Sequence, residues 1–274
     1  MPVNPSALPA AAPQPELVDS HSHFDVGEFD ADRDAAYARA RAAGVVQQVV
    51  PGVIARSWDA LDAVVARYPG LYAAWGLHPC YLAEHRPAHL AELRARVAAR
   101  RPVAIGECGL DAFLPQPDLP AQETYFLEQL RIARDAGLPV IVHARRAVDA
   151  VLKCIRRIGG REGLSGVVHS FAGSIEQAER LREHGFLVSL GGPLSYERAQ
   201  RLHRLVRALP ADGLLLETDA PDQPGVQHRG ERNEPAYLPE VLATVAALRG
   251  EPPAAVAAAS TAAARRLFGL PAAA

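Results

Sequence analysis

Eight short apolar runs, each followed by a stretch of helical composition, divide the 274-residue sequence and narrow the folds open to it. The first is Leu17-Val18-Asp19, which leads directly into Ser20-His21-Ser22-His23. The others are Val45–Val50, Leu71–Leu77, Pro102–Gly106, Pro139–Val142, Gly166–Val168, Phe186–Leu190 and Leu214–Thr218. Most are continuously apolar rather than alternating, as expected of parallel strands buried on both faces. Between them, Asp30–Ala43, Ser57–Tyr68, Pro87–Arg100, Ala121–Ala136, Ala147–Ile158, Ser174–His184 and Tyr196–Ala208 read as helices, several of them stopped by glycine. Two Ala-rich helices, Leu238–Leu248 and Pro253–Phe268, complete the chain. Eight βα units without a composition break predict one α/β domain over residues 17–274, a (β/α)8 TIM barrel, which typically takes ~250 residues. An open doubly wound sheet is the alternative, but no GxGxxG follows the first strand. Residues 1–16 are rich in Pro and Ala and carry no Lys or Arg, so they read as a flexible tail and not as a signal peptide.

Composition excludes several classes of function. A net charge of −2 provides no basic footprint for a high-affinity nucleic-acid-binding module, yet leaves room for an enzyme that meets phosphate through metal ions. Cys80, Cys108 and Cys154 are odd in number and widely spaced, which suits a reducing compartment and argues against a disulfide framework or a cysteine zinc site. No run approaches the ~20 apolar residues of a membrane helix. The expectation is a cytoplasmic protein with no membrane association and no obligate protein partner.

The chemistry-bearing residues collect at strand ends. His21 and His23 lie two apart, so the period of a strand points both to one side, where two imidazoles can hold one divalent ion. Glu107, His143, His169 and Asp219 follow the fourth, fifth, sixth and eighth runs. In a (β/α)8 barrel those ends converge on the face that carries the active site. Singly, each has an ordinary alternative: a hydrogen-bonded histidine, or Asp219 capping a turn. Together, four histidines and two carboxylates exceed the three protein ligands of a typical catalytic zinc and suit two divalent ions (Mg2+, Mn2+ or Zn2+) ~3.5–4 Å apart. A carboxylate can bridge two cations and a neutral imidazole cannot, which makes Glu107 the expected bridge. Asp219 could touch one ion and also accept the proton of the attacking water. Asp19 and Glu217 share strand parity with the ligands that follow and are expected to orient His21 and Asp219, or simply to hydrogen-bond in the barrel interior. His85, His89, His184, His203 and His228 lie away from strand ends and are expected at the solvated surface.

These residues stand in segments that resemble the TatD family of metal-dependent hydrolases. The matching pieces are Asp19-Ser20-His21-Ser22-His23-Phe24-Asp25, Gly76-Leu77-His78-Pro79 and Gly106-Glu107-Cys108-Gly109-Leu110-Asp111. Then come Val142-His143-Ala144-Arg145, Val168-His169-Ser170-Phe171-Ala172-Gly173-Ser174, Leu216-Glu217-Thr218-Asp219-Ala220-Pro221 and Arg232-Asn233-Glu234-Pro235. The resemblance covers nearly everything after the tail and implies an amidohydrolase-like barrel with deoxyribonuclease activity. It implies one ion on His21, His23, Glu107 and Asp219, and a second on Glu107, His143 and His169. It also implies that His78 and Arg145 lie near the phosphate of a weakly bound DNA substrate. The chain departs from the family pattern twice, with Arg146 where many members have an acidic residue and Ala112-Phe113 where many have an aromatic pair.

The leading expectation is therefore a phosphodiesterase that degrades DNA, acting from strand ends. A two-metal amidohydrolase or esterase for a small metabolite is the alternative. Related barrels of that kind often bridge their ions with a carboxylated lysine, whereas the only lysine here, Lys153, lies on a predicted helix. A barrel that binds metal but has lost catalysis is a third reading, opposed by the presence of all six ligand residues.

Overall fold

Each apolar run becomes a strand because its β-branched and leucine side chains are covered on both faces, and each intervening amphipathic segment becomes the helix that covers it. The computed structural model describes residues 14–159 and 163–272. Its strands are β1 (Leu17–Asp19), β2 (Val45–Pro51), β3 (Leu71–Trp75), β4 (Ala104–Asp111), β5 (Val140–Arg145), β6 (Gly166–Val168), β7 (Phe186–Leu190) and β8 (Leu214–Leu216). The helices are α1 (Arg33–Ala42), α2 (Trp58–Arg67), α3 (Pro87–Ala99), α4 (Leu119–Ala136), α5 (Val148–Ile158), α6 (Ile175–Glu183), α7 (Gln200–Ala208), α8 (Leu238–Arg249) and α9 (Pro253–Phe268). The strands pair in chain order and all in parallel. Beyond β1 and β8, Ser20 N donates to Leu216 O (3.0 Å) and Asp219 N to His21 O (2.9 Å), which closes the ring. The expected (β/α)8 barrel is present.

The larger apolar core lies between the strands and the helices. A second cluster takes Val18, Val49, Ala74, Ala104, Ile141, Val167 and Leu215 from seven strands and joins Ala263, Ala264 and Phe268 of α9. This is the barrel interior. Two residues on from Ile141, Val167 and Leu215 stand His143, His169 and Glu217, so the same inward direction carries polar groups one layer nearer the carboxyl end.

Several boundaries differ from the sequence-based expectation. β4 was expected to end at Gly106 and β5 at Val142; instead they continue to Asp111 and Arg145. Backbone pairing sustains the extension where the apolar side chains stop: Gly109 pairs with His143 and Asp111 with Arg145. Glu107, His143 and Arg145 are therefore strand residues. β3 and β8 stop earlier than expected, and α7 begins at Gln200 and not at Tyr196.

Close approach of β4 to the chain on either side, β5 and the end of β3, requires glycine. A Cβ on Gly109 would stand 2.0 Å from His143 O, and one on Gly76 would meet Glu107 O at 2.6 Å. Of the expected tail, residues 1–13 lie outside the described residues. Glu16 is held, its backbone oxygen accepting from Thr261 (2.9 Å) and its carboxylate from Arg265 (2.7 Å). The three cysteines are unpaired, and no helix among the described residues is long and apolar enough to cross a membrane.

Candidate metal centre

Glu107 is buried at the middle of the carboxyl-end face, and its two oxygens look at different groups of histidines. Oε2 lies 3.3 Å from His21 Nε2 and 3.4 Å from His23 Nε2. Those two nitrogens are 3.3 Å apart, and Asp219 Oδ1 stands 3.5 and 3.7 Å from them. Oε1 lies 3.1 Å from His143 Nδ1 and 2.7 Å from His169 Nε2, which are themselves 3.3 Å apart. The rings of His21 and His169 stack at 3.9 Å, so the two groups sit side by side. All six candidate ligands are thus brought together.

The donor set fits divalent cations. Four donors bonded to one tetrahedral ion at about 2.0–2.2 Å stand about 3.3–3.6 Å from one another, close to the spacings of the first group. Charge points the same way. Burial pushes the imidazoles of His23 and His169 down, but the Glu107 carboxylate outweighs it and lifts them to about 9 and about 10. His21 goes the other way, held well below its usual value by burial and by the neighbouring His169.

Asp111, to which the sequence reasoning gave no role, fixes one of the histidines. Its Oδ2 lies 3.0 Å from His143 Nε2, leaving Nδ1 to face Glu107. Burial pushes the Asp111 carboxyl up, yet its bond to His143 prevails and holds it at about 2. A carboxylate behind a ligating histidine sets tautomer and ring orientation, and its loss typically costs ~10–100-fold in metal affinity. Asp111→Asn is expected to weaken metal binding by that factor, and a chelator competition titration measures it. The signal was legible as parity, since Glu107, Gly109 and Asp111 alternate along one strand.

Neighbouring side chains hold the rest of the centre. Asp19 accepts from His21 N (3.2 Å), Thr218 N (3.0 Å) and Thr218 Oγ1 (2.6 Å), pinning the start of the histidine pair to the end of β8; burial lifts its carboxyl to about 8. Glu217 does not reach Asp219 as expected. It accepts from Ser170 N (2.6 Å) and Ser189 Oγ (2.5 Å) and stands 3.9 Å from His169 Nδ1. Its side chain follows the inward parity of β8 below Asp219, and turns to the β6–β7 side of the ring. Asp219 is instead held by Gln223, whose amide donates to Oδ2 and accepts from Ser170 Oγ (2.8 Å). Both Asp219 and Gln223 have left-handed backbones, at φ 57° and 52°, which turn their side chains toward each other. Asn233 secures that loop by donating to Thr218 O (2.7 Å) and Asp222 O (2.8 Å). Arg232 beside it bridges Asp32 (2.6 Å) and Glu234 (2.7 Å).

His78 is buried, its Nδ1 accepting from Cys80 N (3.1 Å) and its Nε2 lying 2.9 Å from Glu107 Oε1. Arg145 is exposed at the rim of the centre. The five histidines expected at the surface are all at least partly buried. His85 is buried with Nε2 on His78 O (2.8 Å), and His203 bonds Leu194 O (2.9 Å), so backbone carbonyls of the loops that follow β3 and β7 hold both rings.

The family described as TatD related DNase matches residues 18–269. The chain belongs to that family. It is 39% identical over 239 residues to the uncharacterized metal-dependent hydrolase YjjV of Escherichia coli K12, covering 86% of this chain and 91% of that protein. It is 38% identical to a protein of Cronobacter sakazakii named 3'-5' ssDNA/RNA exonuclease TatD, covering 89% of this chain and 97% of the relative. The crystal structure of the E. coli YjjV protein superposes with a TM-score of 0.89 over 93% of this chain and 98% of that one. The chain is thus a member of a metal-dependent hydrolase family, and its clustered histidines and Glu107 could hold a metal ion.

Proposed function

We propose that this TatD-family chain is a deoxyribonuclease that hydrolyses phosphodiester bonds of single-stranded DNA from an end, using two divalent ions. The observation that carries the reading is the division of Glu107: one carboxylate oxygen for the His21/His23/Asp219 group, the other for His143/His169. The exonuclease name of the Cronobacter relative supports the choice of substrate. Bound at these two groups, divalent ions would polarise a phosphoryl oxygen and lower the pKa of water.

The protein's own groups have distinct tasks. Asp219 Oδ1 faces the first histidine pair and is placed to take the proton of the attacking water, while Gln223 keeps Oδ2 from rotating away. Its left-handed backbone is held by this network, a kind of strain found at functional sites. His78, with Nδ1 engaged by Cys80, presents Nε2–H as a donor to Glu107 or to a substrate oxygen. Arg145 offers a planar fork to a phosphate. Lys153 lies on α5, away from the centre, so no lysine can supply the carboxylated bridge of the amide-cleaving alternative.

The test is purified protein with labelled single- and double-stranded DNA in Mg2+, Mn2+ and Zn2+. Progressive shortening from one end is expected, and hydrolysis of cyclic amides without DNA cleavage would overturn the reading. Arg145→Ala is expected to reduce kcat/KM on DNA about 10-fold or more with metal content unchanged, a loss in line with one charge-assisted phosphate contact. Steady-state kinetics on an oligonucleotide measures it.

A further inference from the structure

We propose that Phe113, with the guanidinium groups of Arg145 and Arg146 over its ring, is a subsite for an unpaired nucleobase and its adjoining phosphates beside the metal centre. The proposal rests on the nuclease reading above. The guanidinium carbons of Arg145 and Arg146 lie 4.0 and 4.3 Å from the ring centroid of Phe113. The ring is nevertheless 43% exposed. It is also fixed relative to the chemistry: Phe113 N donates to Asp111 Oδ1 (2.8 Å), and the other oxygen of that carboxylate holds His143.

Three features point to a ligand and not to a simple loop cover. First, alternation along β5 would send Arg145 and Arg146 to opposite faces. A left-handed backbone at Arg146, φ 53°, brings both over one ring, a conformation uncommon for a residue with a side chain. Second, neither guanidinium has a carboxylate partner among the described residues, whereas Arg39 and Arg232 are paired with Asp32 and Glu234. A guanidinium stacked on an aromatic ring keeps its N–H edge free for a phosphate oxygen. Third, the described large apolar side chains that are most exposed, Tyr81, Phe113, Leu119 and Val226, all follow β3, β4 or β8 at the carboxyl end of the barrel. Arg146, one of the departures from the family pattern, is thus in contact with Phe113, the aromatic half of the Ala112-Phe113 pair.

An exposed ring stacked with two unpaired guanidinium planes suits single-stranded nucleic acid, because a base can stack on such a plane and every nucleotide carries a charge. A duplex keeps its bases stacked inside and could use only the cations. The subsite therefore favours single strands over duplex.

The experiment compares the metal-loaded wild-type protein with Phe113→Ala, Phe113→Trp and Arg146→Ala on single-stranded oligonucleotides carrying one abasic residue at successive positions from the end. Stacking on a protein ring is worth roughly tenfold per base. Phe113→Ala is expected to raise KM about tenfold with kcat unchanged, and Phe113→Trp to restore it. One abasic position is expected to cost the wild type the same factor and to cost Phe113→Ala nothing further. Arg146→Ala is expected to flatten the salt dependence of binding, by a slope of about 0.7 for one phosphate on a single strand. Independent, multiplying losses from the abasic position and Phe113→Ala, or an unchanged KM, would overturn the subsite while leaving the nuclease reading intact. Anisotropy with the same oligonucleotides separates the converse case. Phe113-dependent binding without cleavage would retain the subsite and remove the nuclease reading, and absence of both binding and cleavage would remove both.

Discussion

Replacing Asp219 by Asn is expected to slow DNA cleavage at least ~100-fold while the protein stays folded and keeps its metal, since a general base typically contributes ~10²–10⁴-fold. The substitution keeps the size of the side chain and one oxygen that can face the His21/His23 pair. It removes the basicity that a proton acceptor needs. It also presents an amide where Gln223 now donates, so the Gln223 amide must rotate and give up its bond from Ser170 Oγ. If Asp219 were only the cap of a turn, the change would lower stability and spare activity. Turnover, metal stoichiometry and thermal unfolding measured on one preparation separate the two outcomes. Near wild-type turnover at full metal content would mean that another group takes the proton.

Glu107→Gln is expected to have the larger effect on metal. Five histidine rings, those of His21, His23, His78, His143 and His169, have a nitrogen within 3.4 Å of the Glu107 carboxylate. An amide can offer one neutral oxygen to one group but cannot serve both with charge. Metal affinity should fall by more than the ~100-fold that marks the loss of a group merely supporting a ligand. Cleavage should fall at least as far. Elemental analysis after purification without chelator is the measurement, and retention of two ions per chain would remove Glu107 from the bridging position. Comparison with Asp111→Asn gives an internal scale, because Asp111 acts on one group only, through His143.

The two variants probe opposite sides of one arrangement. Asp219 is held from outside by a loop residue, Gln223, that strand parity could not have pointed to. Glu107 is held from inside, by its place in a strand whose neighbours are glycines. Gly76, Gly106 and Gly109 let β3, β4 and β5 approach where a Cβ would collide with backbone within 3 Å. Swapping Gly109 for Ala would push β5 away from β4 at His143, the residue whose backbone it touches. The close packing of strands at this end of the barrel is therefore part of how the donor atoms come within reach of one another.

By itself, the sequence determined the architecture and which candidate ligands come together at one face. Eight apolar runs with intervening helices are local patterns, and each run places its own strand and therefore the residues that follow it toward the carboxyl end. His21, His23, Glu107, His143, His169 and Asp219 were legible on that basis, because parallel strands closed into a ring bring equivalent ends to one face. Tertiary structure alone decided how these side chains meet. That Glu107 divides its oxygens between two groups depends on the register of β4 against β5, including the irregularity between Ile105 and Cys108. That β4 and β5 extend beyond their apolar runs depends on each other's backbone hydrogen bonds, which composition does not encode. The burial of His85, the turn of Glu217 toward His169 and the meeting of Phe113 with Arg146 join residues 7, 48 and 33 positions apart. Such contacts are set by ring closure and loop paths, whereas hydrophobic periodicity reports only on the few residues of one strand or helix.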